Sequence, residues 1–544
     1  MKKLRIAIIN YPLYIFDWQK AIINNLIDSN FSEIVLNLDF HEEMKELQNS
    51  TNAVPVFFKS YLKIDSKFFK PVPNALAKTD KSDKSDKINN ITTLSITKTI
   101  DIKSLEEYEL DIILNLTELT LNNEIVDKAK YGVWFLNFCD LNYINKRPYG
   151  IWEMLEKRPE MTGVLRYIKT GMTYPKTIDQ TFSCTDGLSY KRNLNDILWQ
   201  SHFLVGNNIE LLSKNEELFN KKLLTKSGIY PENEITVPFS PPSNTKMLKF
   251  AIALYAKKLF QVIKSKIYFN QWALIFLNNS NSNENPYDLK HYKKILPPKD
   301  RFWADPFLIK HNNKTYLFIE ELIYKNKLGH LAVMEIDNEG NYSKPETILV
   351  KDYHLSYPFI FKEDDEFYMI PETSGNNDIQ LYKATDFPLK WELQKVMMNN
   401  VVAVDTTLYK EHDTYWMFTN LKKHKGGSKH VELNLFYSKS LLADHWEPHS
   451  MNPIVTSVKT ARPAGKLFIK NNKLYRPSQD CSSHYGYGLN ISEITKLNPN
   501  NYEEKLVEAI KPNWDKSISC THSFNSAEEL YISDIKINRN RFLP

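Results

Sequence analysis

Two aspartates stand where few carboxylates are found, between aromatic and apolar residues. Asp305 lies in RFWADPF (301–307) and Asp405 lies in VDTTLY (404–409). A carboxylate with such neighbours has little access to water, which makes it a candidate for catalysis or for binding a polar ligand. The structural alternative is that each carboxylate accepts hydrogen bonds from backbone amides of neighbouring segments.

Both aspartates belong to a pattern that recurs about every fifty residues. Each copy has a polar or proline-bearing start, a polar turn and a tyrosine, which lies ten residues after Pro306, Pro358, Asp405, Gly465 or Thr521. The copies span 305–321, 357–373, 405–420, 462–480 and 521–534. A hairpin repeated at this period is typical of a propeller blade of four strands. Five copies therefore predict an all-β five-bladed propeller over residues 268–544.

The first strand of each blade lines the central channel of a propeller, so the polar residues that begin the five copies are expected to converge. They are Asp305, Tyr357, Asp405, Arg462 and His522. Carboxylates, an arginine and a histidine around one channel mouth predict a site for a polar ligand such as a sugar or a phosphate. Further candidates are Trp303 and Tyr485, whose rings suit sugar faces, Glu372 in YMIPET, and Arg476 and Asp480 in YRPSQD.

The motifs RFWADPF, SYPFIF, VDTTLY and ARPAGKLF resemble two families. One is the five-bladed propeller of arabinanase- and fructanase-type glycoside hydrolases. The other, which is more similar, is the N-terminal domain of plant glucosamine inositolphosphorylceramide transferases and their bacterial relatives. In the hydrolases an aspartate on blade one is the general base, one on blade three tunes a pKa, and a glutamate on blade four is the acid. The resemblance therefore implies catalytic roles for Asp305 and Asp405.

Arg462 stands on blade four, where the resemblance implies the acid. An arginine stays charged and cannot protonate a leaving group, as glycoside hydrolysis requires, although it suits a phosphate or a carboxylate. Glu372 on blade two is the substitute for the acid. We therefore predict a glycosyltransferase of cell-surface polysaccharide or glycolipid biosynthesis, with a carbohydrate or glycolipid substrate, an activated sugar donor and the sugar site at the propeller mouth.

The first half of the chain alternates short apolar strands with helical patterns, which predicts an α/β domain with a parallel sheet over residues 1–225. Strands are predicted at 4–10, 33–39, 54–60, 110–116 and 132–138, and helices at 17–27 and near 122–130. The stretch from LDIILNLTE to TGVLRYIKTG resembles methionyl-tRNA and sugar N-formyltransferases, which implies a Rossmann-like fold. Asn137 matches the family asparagine, Cys139 replaces the catalytic histidine, and Asp140 is adjacent. Without that histidine, folate is not expected as a cofactor.

Composition excludes several classes of protein. The chain has 70 Lys and Arg against 65 Asp and Glu, a net charge of +5, which argues against a dedicated nucleic-acid-binding protein. Its 4 cysteines are scattered, so neither a disulfide framework nor a metal site is predicted. The apolar start of the chain is too short for a cleavable leader, and a buried first strand is predicted instead. These features predict a cytoplasmic protein.

A linker is predicted over residues 226–267, with a basic amphipathic helix at 244–266. That helix either packs on a neighbouring domain or lies on an anionic membrane surface, which would make the protein peripheral on the inner face of the membrane. Near 79–90 the sequence TDKSDKSDKINN is charged and of low complexity, so a disordered insertion is predicted.

Two alternatives to glycosyl transfer stay open. In the first, the N-terminal domain is a sugar N-formyltransferase and the propeller binds its acceptor. In the second, both halves are degenerate enzymes and the protein binds glycans without catalysis.

Overall fold

The computed structural model describes residues 3–11, 14–40, 55–80, 90–96, 102–138, 143–144, 150–227, 235–236, 241–280, 284–422 and 426–543. The chain divides into two compact units, Met1–Tyr255 with Lys425–Gly427, and Ala256–His424 with Ser428–Pro544. The boundary at 255 and 256 falls inside the helix Asn244–Ile267. Most of the insertion predicted near 79–90 lies outside the described residues.

A seven-stranded mixed sheet forms the centre of the first unit. In spatial order its strands are Lys176–Cys184, Glu160–Ile168, Val133–Asn137, Ile112–Asn115, Leu4–Ile9, Ser32–Asp39 and Thr93–Ser95. The last five strands in this order run parallel, as predicted. The first two pair antiparallel at one edge of the sheet. Two further pairs of short strands are Tyr14–Phe16 with Lys78–Asp80 and Tyr143–Ile144 with Ile235–Thr236.

Helices cover both faces of this sheet. Successive residues of a strand face opposite sides, and the alternating residues of Leu4–Ile9 belong to two separate apolar clusters. One cluster includes residues of Asp17–Ile27 and Tyr190–Lys214, and the other includes residues of Asn123–Val126. The described helices of this unit are Asp17–Ile27, Val56–Phe68, Asn123–Val126, Ile151–Leu155, Tyr190–Lys214 and Glu216–Ser227, with a 3-10 turn at Ser104–Tyr108.

The strand predicted at 54–60 is wrong, because Val56–Phe68 is a helix. The aromatic and β-branched residues of this stretch favour a strand locally, but tertiary contacts override such a preference. Pro55 stands at the helix N-terminus, and its carbonyl accepts the first helical hydrogen bond from Lys59. Phe58 is buried against the cluster around Trp152, which fixes the helical face.

The second unit is a five-bladed β-propeller, as predicted. Blade one contains Arg301–His311, Lys314–Ile323, Gly329–Ile336 and Glu346–Leu349; blade two contains Ser356–Glu363, Glu366–Glu372, Asp378–Asp386 and Lys390–Asn399. Blade three contains Ala403–Glu411, Thr414–Leu421, Glu432–Ser438, Glu447–Pro448 and Val455–Thr456; blade four contains Phe468–Lys470, Lys473–Asp480, Gly488–Asn498 and Asn501–Ile510.

Blade five joins the two ends of this unit. Its strands are Lys293–Ile295, Tyr268–Asn278, Leu530–Asn540, Ile518–Cys520 and Phe524–Ala527. Tyr268–Asn278 pairs antiparallel with Leu530–Asn540 along its whole length, so the strand that begins the propeller in sequence also closes it. The core lies between adjacent blades, because each large apolar cluster of this unit draws residues from neighbouring sheets.

The repeating tyrosines lie on the second strand of their blades, as the pattern predicts, but in two registers. Tyr316, Tyr368 and Tyr475 are each two residues past the first residue of that strand, whereas Tyr415 and Tyr531 are one residue past it. Side chains alternate along a strand, so the ten-residue spacing finds the right strands without finding one common face.

Among the described residues, no helix combines the length and the apolar content that crossing a bilayer requires.

Candidate functional site at the propeller axis

A β-bulge interrupts the first strand of blades one, two and three at the same register. The residue in the bulge has a left-handed backbone in each blade, with φ of +48° at Asp305, +47° at Tyr357 and +51° at Asp405. This backbone costs a residue other than glycine about 1–2 kcal/mol, so tertiary contacts must hold it. The pairing slips between Ala304 and Phe307, between Ser356 and Phe359, and between Val404 and Thr407. The predicted equivalence of the three residues therefore holds.

Arg462 is not at this register. Its carbonyl accepts a hydrogen bond from the Gln479 amide at 2.8 Å, which places it opposite Gln479 as Ala304 is opposite Glu320. Ala304 directly precedes the bulge residue, so Arg462 corresponds to the position before the bulge. Between this position and the residue that pairs with the tyrosine of the repeat, blade four has one more residue than blade one. Counting back from the tyrosine does not reveal this extra residue.

In blades one to four the seventh residue of the second strand is a polar residue that lies opposite the position before the bulge or its counterpart. These residues are Glu320, Glu372, Asn420 and Gln479. Two of them bind the groups predicted to be functional, since Gln479 Nε2 donates to Asp405 Oδ2 at 2.7 Å and Glu372 Oε2 lies 3.4 Å from Arg462 Nη2. The repeat therefore supplies a second set of polar side chains beside the bulges.

Arg462 joins two of the predicted catalytic carboxylates. Its Nε and Nη2 donate to the two oxygens of Asp405 at 2.5 and 3.2 Å, and Nη2 also reaches Glu372 at 3.4 Å. Its Nη1 lies 2.9 Å from Nδ1 of His430. A planar guanidinium that binds a carboxylate through two nitrogens fixes the position of that carboxylate. Arg462 thus positions two carboxylates of the protein, those of Asp405 and Glu372.

His522 and Asp305 form the other half of the site. His522 Nδ1 lies 2.8 Å from Asp534 Oδ2, and its Nε2 lies 3.9 Å from Asp305 Oδ1. Trp272 stacks on the imidazole with ring centroids 4.1 Å apart. The other oxygen of Asp305 accepts the Tyr357 amide at 3.1 Å. One oxygen of Asp305 thus accepts a backbone hydrogen bond, as the structural alternative predicts, while the other oxygen faces His522.

Tyr485 contacts both halves of the site and lies on the side that is accessible to solvent. The Arg462 guanidinium lies 4.9 Å from the centre of its ring, and the ring meets His522 edge-on at 5.4 Å. Tyr485 is 42% exposed, whereas the Glu372 side chain is 12% exposed and the Asp405 side chain only 2%. We call Asp305, Glu372, Asp405, Arg462 and His522 the axial cluster, with Tyr485 at its exposed edge.

Burial sets the protonation of this cluster. Burial and the nearby charge of Asp405 raise the pKa of Glu372 to about 7, against the opposing charge of Arg462. Burial also raises the pKa of Asp305 well above its usual range, against the opposing charge of His522. Burial lowers the pKa of His522, but the Asp534 carboxylate outweighs it and brings that pKa to about 9. The pKa of Glu372 is therefore raised into the neutral range, and His522 is charged at neutral pH.

Four other predicted substrate-binding residues are buried within the fold. Trp303 is 2% exposed and donates to Glu321 at 2.9 Å, and the Tyr357 hydroxyl bonds to Thr407 at 2.8 Å. Arg476 binds Glu504 through two nitrogens, so its position is accounted for by an ion pair within blade four. Asp480 accepts the Ser482 amide at 2.9 Å. Trp303 and Tyr357 therefore fill the propeller interior, and Tyr485 supplies the exposed aromatic surface.

Sequence reasoning missed Asp534, Gln479, His430 and Trp272. Gln479 could have been found from the shared seventh position of the second strands. Asp534 stands in LYISDIKI, where an acid interrupts a strand-like apolar run. Trp272 belongs to the closing strand, and His430 follows the hairpin of blade three, so neither carries a repeat signal.

One group of side chains in the described part of the chain could hold a cation, although none was predicted. Asp305, His522 and Asp534 each offer a ligand atom, and these atoms lie within 4.8 Å of one another. A nitrogen and two carboxylate oxygens suit a divalent cation. Both His522 nitrogens would otherwise carry protons at neutral pH, so binding would require the imidazole to lose one.

The predicted formyltransferase-like residues can be described only in part. Asn137 is the last residue of the strand Val133–Asn137 and is buried. Cys139 and Asp140 lie outside the described residues. The resemblance of this unit to N-formyltransferases stays a prediction.

The propeller matches a known family. Residues 295–542 match the family described as "Glucosamine inositolphosphorylceramide transferase 1, N-terminal", which confirms the resemblance predicted for this half. Proteins named "Glucosamine inositolphosphorylceramide transferase 1" from Oryza sativa subsp. japonica and from Arabidopsis thaliana are 37% and 34% identical to the chain over 206 residues. The aligned part is 37% of this chain and 27% of the length of each relative.

Among the solved structures, glycoside hydrolases are similar to this chain. Zg3597, a family 117 glycoside hydrolase of Zobellia galactanivorans, covers 51% of this chain and 92% of its own, with 10% identity and a TM-score of 0.32.

Proposed function

We propose that the axial cluster is the sugar site of a glycosyltransferase of glycolipid biosynthesis, with a carbohydrate or glycolipid acceptor. The observation that carries the proposal is the buried carboxyl of Glu372, which lies 3.4 Å from Arg462 and whose pKa is raised to about 7 by burial and by the charge of Asp405. It is held by Arg462 beside Asp405. A carboxyl with a pKa near the working pH is suited to proton transfer in either direction.

Transfer from an activated donor makes smaller demands on this site than hydrolysis. A phosphate leaving group departs as an anion without being protonated, whereas the attacking hydroxyl of the acceptor must lose its proton. Glu372 in its ionised form can accept that proton. A single proton acceptor of this kind meets the demand of transfer, whereas glycoside hydrolysis also needs a group that protonates the leaving group.

The other members of the cluster have supporting roles in this proposal. Asp405 and Arg462 position Glu372, and Asp305 with the charged His522 presents polar groups to sugar hydroxyls. The exposed ring of Tyr485 offers an apolar face on which a sugar ring can stack. The names of the similar plant proteins support a glycolipid acceptor, but the match covers a quarter of their length, so the proposal depends on the residues of the cluster.

Binding without catalysis is the second candidate. It is favoured by the saturation of Asp405, whose oxygens are occupied by Arg462 and Gln479. N-formyl transfer by the N-terminal unit stays a prediction to which the described residues add nothing.

A transfer assay tests the proposal. The purified chain is incubated with radiolabelled nucleotide-activated hexosamines and vesicles that contain inositolphosphorylceramide, and label in the lipid fraction is counted. We expect transfer by the wild-type chain and a loss of at least about 100-fold for Glu372→Gln, because a general base is removed. Glu366→Gln is the matched control, since Glu366 begins the same strand and pairs with Lys383 at the surface.

The outcomes separate the candidates. Equal rates for wild type and Glu372→Gln would overturn the assigned role of Glu372. Sugar binding measured by titration calorimetry, without transfer by the wild-type chain, would replace glycosyl transfer with binding alone.

A further inference from the structure

The helix Asn244–Ile267 is exposed over most of its length. Near its start Met247 is buried with Phe58 and Trp152, and Lys246 lies over the Trp152 ring at 4.4 Å. From Ala251 to Ile267 only Leu254 and Lys264 are even half-buried. The helix is held near its start by Met247, and near its end by Arg541, whose side chain donates to the Ser265 carbonyl at 3.2 Å and whose amide donates to the Ile267 carbonyl at 2.9 Å. Most side chains between these two points are exposed.

An apolar stripe follows one face of this helix. Its members are 49% to 75% exposed and recur at helical spacing: Leu248, Ile252, Tyr255, Leu259, Val262 and Ile263. In proteins most helical stability comes from packing an apolar face against a partner rather than from helix propensity. Soluble proteins rarely leave such a continuous apolar surface uncovered. The stripe therefore requires a surface against which it packs.

The charge of the helix identifies the chemistry of that surface. The segment has six lysines and no aspartate or glutamate. The whole chain has a net charge of +5, so the rest of the chain is balanced to within one charge. At 100° per residue, Lys257 and Lys264 fall on the side of the helix away from the stripe, and Lys249 and Lys258 flank it. A partner must thus be apolar where it meets the stripe and anionic around it.

We propose that this helix lies in the surface of a membrane that contains anionic lipids. Acyl chains beneath a layer of anionic headgroups provide both properties over the roughly 36 Å that a helix of this length covers. Lysine side chains suit this position, because their stems lie along the apolar layer while the ammonium groups reach the headgroups. The inference does not depend on the sugar chemistry proposed for the propeller.

Vesicle flotation tests the proposal with the full chain. Phosphatidylcholine vesicles are compared with vesicles containing about a third phosphatidylserine, at low and at high salt. We expect binding to the anionic vesicles only, at least tenfold weaker in 0.5 M salt, because counter-ions screen the lysines. The triple variant Ile252→Ser, Leu259→Ser, Ile263→Ser should lose at least tenfold in bound fraction, and Lys257→Glu with Lys258→Glu should lose binding selectively at low salt.

The control variant is Leu506→Ser with Val507→Ser. Both residues are 50% exposed, like the stripe, but lie on the last strand of blade four. It should bind as wild type does, and melting temperatures should show that all variants fold. Failure of the wild-type chain to float with anionic vesicles would overturn the proposal. So would equal flotation with both vesicle types, or a wild-type dimer in light scattering that the triple variant converts to monomer without any vesicle binding.

Discussion

Glu372 shows how a single carboxyl acquires a neutral-range pKa in this fold. Its strand ends beside the bulge of blade three, so it is withdrawn from water and placed near the carboxylate of Asp405. Both effects favour the protonated form, and Arg462 compensates only in part. The same three residues would be unremarkable at the surface, where solvent screens each charge.

The pH dependence of stability should report this proton. The folded-state pKa of Glu372, about 7, exceeds the ordinary value of 4.5, so the folded protein binds the proton more tightly than the unfolded chain. The stability gained is therefore full below about pH 4.5 and is lost as pH rises through about 7. Glu372→Gln removes this loss, and we expect the variant to gain up to about 3 kcal/mol on wild type between pH 4.5 and 7.5.

Urea unfolding at the two pH values measures this difference. Glu366→Gln, on the same strand but at the surface, should show no such trend. A free-energy difference between Glu372→Gln and wild type that stays constant with pH would contradict the prediction.

At the scale of the strand, the bulges are the elements that build the site. The Asp305 amide donates to Asp534 of blade five at 3.0 Å, and the Tyr357 amide donates to Asp305 at 3.1 Å. Each of these left-handed positions is therefore held by a carboxylate from the preceding blade. The positioning of the axial residues and the cohesion of neighbouring blades depend on the same hydrogen bonds.

Asp534 is the residue on which this arrangement depends most. Its oxygens accept the amides of Asp305, His522 and Ser523 at 3.0 to 3.1 Å and lie beside the His522 imidazole. Asp534→Ala would leave these buried donors unpaired, and we expect a loss of about 3 kcal/mol or more in the free energy of unfolding. Asp534→Asn keeps an acceptor and should lose less.

Denaturant unfolding compares these variants with Asp386→Ala, in which the lost carboxylate pairs with Lys390 at the surface. The control should lie within about 0.5 kcal/mol of wild type. A loss below about 1 kcal/mol for Asp534→Ala would show that the bulges are held by other contacts.

The sequence pattern predicts the secondary-structure elements more reliably than it predicts the residues of the candidate site. The repeat identifies the propeller, its five hairpins and the shared position of Asp305, Tyr357 and Asp405, because the period of the chain is the period of the blades. It misplaces Arg462 by one residue, because blade four has one residue more than blade one between this position and the tyrosine of the repeat. Trp303 was expected to face a sugar and is buried instead, because which side a strand residue faces depends on the bulge, and the sequence does not mark bulges.

At the scale of the whole molecule, closure of the ring is what local pattern cannot predict. The strand Tyr268–Asn278 has no copy of the repeat, yet it completes blade five and brings Trp272 to His522. Its residues Ala273, Ile275 and Leu277 belong to the same apolar cluster as Ile535 and Ile537 of the strand it pairs with. The contact joins segments more than 250 residues apart. The propeller therefore keeps a free sheet edge there until nearly all of it has formed.

A charge placed in this closing strand should therefore affect every blade. Ile275 is 1% exposed, and Ile275→Asp would bury an unpaired carboxylate, at an expected cost of at least about 4 kcal/mol. Because all five blades share one closed ring, we expect hydrogen exchange, followed by mass spectrometry, to rise together in blade five and in the distant strand Ala403–Glu411 of blade three. Asn270→Asp adds a charge to the exposed part of the same strand and should leave exchange unchanged. Faster exchange confined to blade five in Ile275→Asp would show instead that the blades open one at a time and that closure is not what holds the axial cluster together.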